Sequence, residues 1–184
     1  MTTKNKTKQS LPERIIAVHR AFRSVPHAFG GALALAYYAE PRATRDIDCN
    51  IFIPATSAMK ALRPLAKLGA DIDGAEVVAA RDGQVRVLWE MTPIDLFFSY
   101  DKFHDAALKD IVIVPFSTTS IPILSATHLA VCKVVFNRPR DWVDIDAMLE
   151  HGTPIDAPEA LKWVGRICGD DDPRFIRLAT VLTA

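Results

Sequence analysis

Apolar and polar residues alternate with a period of two in two stretches of the chain, and this period predicts strands. Between Asp46 and Ile53 the odd-numbered residues are apolar, so one face of the predicted strand is buried, and Asp46 and Asp48 lie on the opposite face. Residues 94–100 alternate in the same way, with Asp95 opposite the apolar face. Each strand therefore presents carboxylates on a face that the core does not cover.

Apolar residues at intervals of three and four predict helices elsewhere in the chain. The predicted helices cover residues 11–24, 32–40, 56–68, 102–109, 126–136, 140–150, 157–168 and a last segment from 173 onward. Shorter apolar stretches predict further strands at residues 27–29, 76–80, 84–89 and 111–114. The segment 115–125 is rich in Pro, Ser and Thr, which is typical of a linker between two parts of a chain. Only helices are predicted after it.

This order of elements predicts an α/β (α+β) fold class, in which a small mixed sheet with flanking helices is followed by a C-terminal helical part. Residues 1–10 are predicted to form a disordered tail, residues 11–120 an α/β core and residues 121–184 a helical subdomain. A length of 184 residues fits one domain with a small appendage.

Charge and cysteine content narrow the class of protein further. The chain has 22 basic and 22 acidic residues, and this zero net charge is not typical of a protein that binds long nucleic acids non-specifically. Three cysteines without a C-x-x-C pair argue against a disulfide framework and structural zinc, and indicate a cytoplasmic protein. No apolar run approaches the ~18 residues of a membrane span, and the basic N-terminus leads into no apolar signal segment.

Three aspartates form the strongest candidate for a catalytic site. If the two alternating strands are neighbours, Asp46, Asp48 and Asp95 converge in one cleft around a shared metal position. Like charges this close destabilise one another unless a cation lies between them. Carboxylate oxygens are preferred ligands of Mg²⁺ and Mn²⁺, and substrate phosphates commonly complete the coordination of Mg²⁺. The pattern therefore indicates metal-dependent phosphate chemistry.

A glycine pair opens a predicted helix upstream of the first of these strands. Gly30 and Gly31 allow the backbone to approach a phosphate closely, and a helix N-terminus offers free N–H groups. Arg42 and Thr44 lie between the glycines and the aspartates and are candidates for contact with phosphate oxygens. Taken singly, a glycine pair is more often a turn, and an Asp-x-Asp pair is more often a solvated strand face. The order of these features along the chain favours the phosphate hypothesis.

The segment FGGALALAYYAEPRATRDIDCNIFI resembles the signature of the polymerase-β-type nucleotidyltransferase superfamily, in which Gly-Gly or Gly-Ser opens a helix and Asp-x-Asp follows on a strand. The form R-A-T-R-D-I-D is most similar to small stand-alone bacterial members, such as the AbiEii-like toxin nucleotidyltransferases. The resemblance implies the nucleotidyltransferase fold and a nucleoside triphosphate (NTP) substrate. It also implies that Asp46 and Asp48 hold the metals and that Asp95 completes the catalytic site.

A second segment extends the resemblance, which covers roughly residues 27–150. A helix with Lys133, followed by R-P-R-D-W-V-D-I, is similar to the family's Lys and its R-x-K-D-x-x-D-I segment, with Arg140 where the family often has Lys. The resemblance implies that Lys133 lies near the triphosphate, and Asp141 or Asp144 near the same site. From spacing alone, Lys133 is instead a solvated helix lysine, and Asp141 and Asp144 belong to an ion-paired surface.

The favoured hypothesis is a metal-dependent enzyme that moves a nucleoside monophosphate from an NTP to an acceptor hydroxyl. The acceptor is left open between an RNA end such as that of tRNA, a protein side chain and a small drug-like molecule. One alternative is a non-catalytic interaction or antitoxin-type protein that keeps the fold and binds an antitoxin or partner protein. Another is a glycosyltransferase that uses a sugar nucleotide and Mn²⁺, for which the chain is short.

Overall fold

The protein folds around one mixed sheet with helices on its faces, as the sequence predicts. The computed structural model describes residues 9–183, so the predicted tail lies almost entirely outside the described residues. Within this range the strands are β1 (His27–Phe29), β2 (Ile47–Pro54), β3 (Ala70–Asp71), β4 (Gln84–Trp89), β5 (Thr92–Ser99), β6 (Val112–Phe116) and β7 (Thr119–Ile123). The α-helices are α1 (Leu11–Ala21), α2 (Gly31–Leu35), α3 (Met59–Leu68), α4 (Ala75–Asp82), α5 (Lys102–Lys109), α6 (Ala126–Phe136), α7 (Pro139–Glu150), α8 (Ala157–Cys168) and α9 (Pro173–Thr183).

The sheet has the strand order β3-β4-β5-β2-β1-β7-β6. Its two central strands, β2 and β5, run parallel, while β4 pairs with β5 and β1 with β2 in antiparallel fashion. The predicted neighbourhood of the two carboxylate-bearing strands is therefore confirmed. It puts the open faces of both strands side by side near the middle of the sheet.

The apolar face of the central strands forms the core. Ile47, Cys49 and Ile51 of β2 and Leu96 of β5 are at most 1% exposed, in phase with the alternation of the sequence. The opposite face is less open than the alternation suggests, because Asn50 is also buried. Helices therefore cover part of the face that carries the aspartates.

The predicted strand at residues 76–80 is wrong, since this segment lies in helix α4. Ala75 and Ala79 are buried four residues apart, which fits a helix face, whereas Val77 is exposed. Glycines with left-handed backbone, Gly74 and Gly83, stand at the two ends of this helix. The β-branched valines suggested a strand, but packing of the alanine face on the core outweighs their propensity.

Two further elements differ from the sequence prediction. The segment 115–125 is not a simple linker, because it contains strand β7, which pairs with β6 and with β1. The sheet thus continues to Ile123, three residues past the predicted boundary at 120, and only helices follow. Helix α2 ends at Leu35 instead of continuing to residue 40.

The C-terminal helices begin at Ser125, whose side chain accepts a hydrogen bond from the His128 backbone N–H at the start of α6. Helix α6 is buried on nearly all sides, so it lies between the sheet and the remaining helices rather than at the surface. Trp142 of α7 and Trp163 of α8 belong to the core. Among residues 9–183, no helix is both long enough and apolar enough to cross a membrane.

Candidate active site

Three strands bring charged residues side by side in one row across the sheet. In the strand register Arg86 of β4 pairs with Asp95 of β5, and Asp95 pairs with Asp48 of β2. A cavity of about 260 Å³ covers this row. Of the residues predicted to form the site, the cavity is lined by Gly31, Arg42, Thr44, Asp46, Asp48, Asp95, Lys133 and Asp141. Gly30 and Asp144 do not line it.

Asp48 is the carboxylate that this arrangement perturbs most. Burial raises the pKa of Asp48 to about 6, and the nearby Asp95 and Asp46 contribute in the same direction because each adds a negative charge. Arg138 and Lys133 act against this increase but do not cancel it. The row is therefore short of positive charge at Asp48.

Arg86 supplies positive charge at the other side of the row. Its guanidinium donates two hydrogen bonds of 2.7 Å to the two oxygens of Asp95 and lies 3.4 Å from Asp46. The contact with Asp95 is the bidentate geometry in which Arg–carboxylate pairs are strongest. Sequence reasoning missed Arg86, although it alternates with the buried Val85 and Val87 and so has the phase of an open-face residue.

The donor chemistry of this row fits a hard divalent cation. With Asp46 beside it, the row offers three carboxylates, which supply only oxygen ligands. Among the described residues, however, no three acidic, His or Cys side chains close on a common metal position. The Arg86 guanidinium occupies oxygens of Asp95 and Asp46, so a metal would compete with it for these two carboxylates.

Gly30 and Gly31 allow the backbone of the β1–α2 turn to lie close to Asp48. Gly31 has a left-handed backbone with φ of 52°, and a Cβ built there would overlap the Asp48 carboxylate. The Gly30 N–H donates a 2.9 Å hydrogen bond to the backbone oxygen of Asp48. A Cβ on Gly30 would come within 2.9 Å of the Asn50 amide nitrogen. Both glycines therefore let the carboxylate strand lie directly against the β1–α2 turn.

Lys133 lines the cavity, but its ammonium group is held by α7. Lys133 Nζ lies 2.5 Å from Asp144 and 4.0 Å from Asp141, and all three side chains are buried. Arg42 donates two hydrogen bonds, of 3.0 and 2.9 Å, to the two oxygens of Asp144. Burial raises the pKa of Asp144, but the hydrogen bonds from Arg42 and Lys133 outweigh it, so that pKa lies below its usual value. Asp144 thus positions two cations from behind the cavity.

Asp141 holds a cation of the cavity rim, Arg138, in a similar way. Its carboxylate accepts hydrogen bonds from the Arg138 side chain at 2.8 and 3.1 Å and from the Arg138 backbone N–H at 3.0 Å. Arg138 and Arg140 both line the cavity, and we call these two residues, Lys133 and Arg42 the basic border of the cavity. His128, five residues before Lys133 on the same helix, does not join this border but is buried beside Asp110 and Ser125.

The sequence matches one family model over residues 18–175, described as "Nucleotidyl transferase AbiEii toxin, Type IV TA system". The matched range includes every residue of the row and of its basic border. No curated protein matches the chain at a significant level.

Solved structures show similarity in fold. One of them is titled "Solution Structure of Antibiotic-Resistance Factor ANT(2'')-Ia Reveals Substrate-Regulated Conformation Dynamics". Its sequence is 14% identical to this one, and the alignment covers 92% of this chain and 96% of the chain in that structure, with a TM-score of 0.59. An antigenic nucleotidyltransferase-like protein from Paracoccidioides brasiliensis is 12% identical and covers 92% of each chain, with a TM-score of 0.46.

Proposed function

Because the chain belongs to the AbiEii nucleotidyltransferase family, we propose that it moves a nucleoside monophosphate from an NTP to an acceptor hydroxyl in a metal-dependent reaction. The single observation that carries this proposal is the row of Arg86, Asp95 and Asp48 beneath a cavity with a basic border. A site of this kind combines oxygen ligands for a cation with cations for a phosphate chain.

In this proposal Asp46, Asp48 and Asp95 hold Mg²⁺ or Mn²⁺. The metal would offset the charge that develops on the phosphate oxygens. The acceptor oxygen attacks the α-phosphorus, the bond between the α-phosphorus and the bridging oxygen breaks, and pyrophosphate leaves. Asp95 takes up the acceptor proton once Arg86 has released its oxygens.

The basic border binds the triphosphate in this account. Lys133, Arg138 and Arg140 line the same cavity as the carboxylates. Asp144 and Asp141 hold Lys133 and Arg138 in place, so these cations are pre-organised before the substrate arrives. Thr44 and Arg42 line the same cavity and complete this border. Gly31 also lines the cavity and leaves room there for the Asp48 carboxylate.

The family description supports a proposal about the partner but names no acceptor. Because it describes a toxin of a type IV toxin–antitoxin system, we propose an antitoxin partner, and an acceptor that is an RNA end, a protein or a small molecule. The competing hypothesis, a non-catalytic protein that keeps the fold, has to explain why the row keeps a strained Asp48. We therefore favour the enzyme.

Thermal melting in the presence of nucleotides separates the hypotheses, because a ligand that binds only the folded state raises the melting temperature. With Mg²⁺ present, the proposal expects at least one NTP to raise it by several degrees and a sugar nucleotide to leave it unchanged. A non-catalytic protein would respond to neither, and a glycosyltransferase would respond to the sugar nucleotide. The Asp48→Asn variant should lose the response to Mg²⁺ plus NTP.

A further inference from the structure

A second row of side chains lies beside the charged row and has a different character. In the same register Gln84 of β4 pairs with Phe97 of β5, and Phe97 pairs with Asn50 of β2. Each residue stands two positions from its charged neighbour and on the same face, so the two rows are about 7 Å apart. An aromatic ring flanked by two carboxamides therefore adjoins the carboxylates.

Helix α6 adds a second ring above this row. Phe136 packs edge-to-face on Phe97 with ring centroids 5.4 Å apart, and it is 43% exposed. The Arg138 guanidinium lies 5.1 Å from the centroid of the Phe136 ring. Both phenylalanines line the cavity over the charged row, and both also line a second cavity of about 280 Å³. The two cavities therefore meet at this aromatic pair.

Asn50 is the unexplained group in this row. It is 7% exposed and lines both cavities, and among residues 9–183 no protein group hydrogen-bonds its carboxamide. The carboxamide atoms are not fully buried, so their free donor and acceptor positions are open to the cavities. A ligand with donor and acceptor atoms at its edge would supply the missing partners.

The second cavity has the make-up of a small-molecule site. Val131, Val135 and Phe103 line it together with a few polar groups, including Asn50 and Gln84. Sites for small ligands are mostly apolar, with a small number of polar groups that fix orientation. A flat ring stacked against this aromatic pair, with amides at its edge, is the arrangement that binds a nucleobase.

We propose that Asn50, Phe97, Gln84 and Phe136 form a nucleobase subsite next to the charged row. The inference rests on the proposed nucleotidyl transfer and assigns the part of the site that holds the base. A nucleobase lies one ribose away from its α-phosphate, which agrees with the short distance between the two rows. The base belongs either to the donor NTP or to the terminal nucleotide of an RNA acceptor, and both sources have the same chemistry.

Equilibrium binding to the full-length protein in Mg²⁺ tests this subsite. The probes are α,β-methylene NTPs with each of the four bases, a short single-stranded RNA and tripolyphosphate, which has no base. Phe97→Leu should weaken binding of the nucleotide by about tenfold and leave tripolyphosphate binding unchanged, because only stacking is lost. Phe136→Leu, at a more exposed position, repeats the test in case Phe97→Leu destabilises the fold. Phe116→Leu, which changes a half-buried ring outside both cavities, is the matched control.

The pattern across the probes decides the assignment. Loss of NTP affinity in both variants assigns the base to the donor, and loss of RNA affinity alone assigns it to the acceptor; either result supports the subsite. If both variants bind NTP and RNA as the wild type does, or lose NTP and tripolyphosphate affinity equally, the subsite is overturned while nucleotidyl transfer stands. If the wild type binds neither NTP nor tripolyphosphate, the proposed function fails and the subsite with it.

Discussion

At the scale of single residues, Asp48 is held in an unfavourable charge state. Its pKa is raised to about 6 by burial and by Asp95 and Asp46, against an ordinary value of 3.8. A raised carboxyl pKa means that folding costs free energy above pH 6, where the folded group is ionised, and costs none below about pH 3.8. Asp48 therefore destabilises the metal-free protein at neutral pH.

We expect Asp48→Asn to stabilise the metal-free protein at pH 7. The shift corresponds to a gain of up to about 3 kcal/mol, since one pKa unit is worth about 1.4 kcal/mol. The gain should shrink as the pH falls through 6 and vanish near pH 4. Urea denaturation of wild type and variant across this range measures it. Asp73→Asn, at an exposed turn, should give no such profile, and a variant less stable than wild type at pH 7 would contradict the account.

In the proposed reaction, Arg86 is the counter-charge that a metal would displace from Asp95 and Asp46. Arg86→Gln should tighten Mn²⁺ binding several-fold, because Asp95 and Asp46 are freed, and should lower the melting temperature without metal, because their repulsion is no longer offset. Electron paramagnetic resonance titration of Mn²⁺ gives the affinity. Arg81→Gln removes an exposed arginine paired with Asp82 and should change neither quantity. Unchanged Mn²⁺ affinity in Arg86→Gln would show that the guanidinium does not compete with the metal.

At the scale of elements, Gly31 allows the turn between β1 and α2 to pack directly against strand β2, which carries Asp48. Gly31→Ala should destabilise the protein by more than Gly74→Ala, although both residues have a left-handed backbone. At Gly31 the added methyl group overlaps the Asp48 carboxylate. At Gly74 no atom lies within 4 Å of the added methyl group. Left-handed backbone strain alone costs about 1–2 kcal/mol. Equal losses in the two variants, measured by urea denaturation, would remove the argument that this turn positions Asp48.

Helices α6 and α7 and the segment before β2 meet at the buried Asp144. Asp144→Asn should cost about 3 kcal/mol, because it leaves the buried Lys133 and the Arg42 guanidinium without their carboxylate. The double variant with Lys133→Met should lose less than the sum of the two single losses, which a double-mutant cycle measures. The exposed pair of Lys162 and Glu159 on α8 is the control and should show little coupling. Additive losses at Lys133 and Asp144 would contradict their pairing.

The elements also show which parts of the fold and of the candidate site the sequence can predict. The alternation of β2 and β5 predicted both strands and the face of each aspartate, because a period of two depends only on local geometry. The same rule places Arg86 on that face, but only the strand order, which is a non-local property, puts it beside Asp95. The pairing of Lys133 with Asp144 was likewise hidden, because it joins two helices whose relative packing no local spacing specifies. β7 was missed because its Thr, Ser and Pro are typical of loops.

At the scale of the whole molecule, the cavity over the charged row lies between the sheet and the C-terminal helices. The carboxylates come from β2 and β5, while Lys133, Arg138 and Arg140 come from α6, α7 and the turn between them. We propose that the predicted α/β core and helical subdomain are parts of one working unit, with the boundary near residue 124, because each supplies one side of the site. The core supplies the three carboxylates of the proposed site, and the helical part supplies three of the four cations of the basic border.

The central claim is that the bond between the α- and β-phosphates is the one that breaks. The direct measurement uses an NTP carrying distinguishable labels at the α- and γ-phosphorus, incubated with the protein, Mg²⁺ and separate cellular RNA and protein fractions. The account predicts the α-label in an acceptor and the γ-label in pyrophosphate, with both products lost in Asp48→Asn and Asp95→Asn. The γ-label in an acceptor or in free phosphate, or transfer that survives both substitutions, would contradict it.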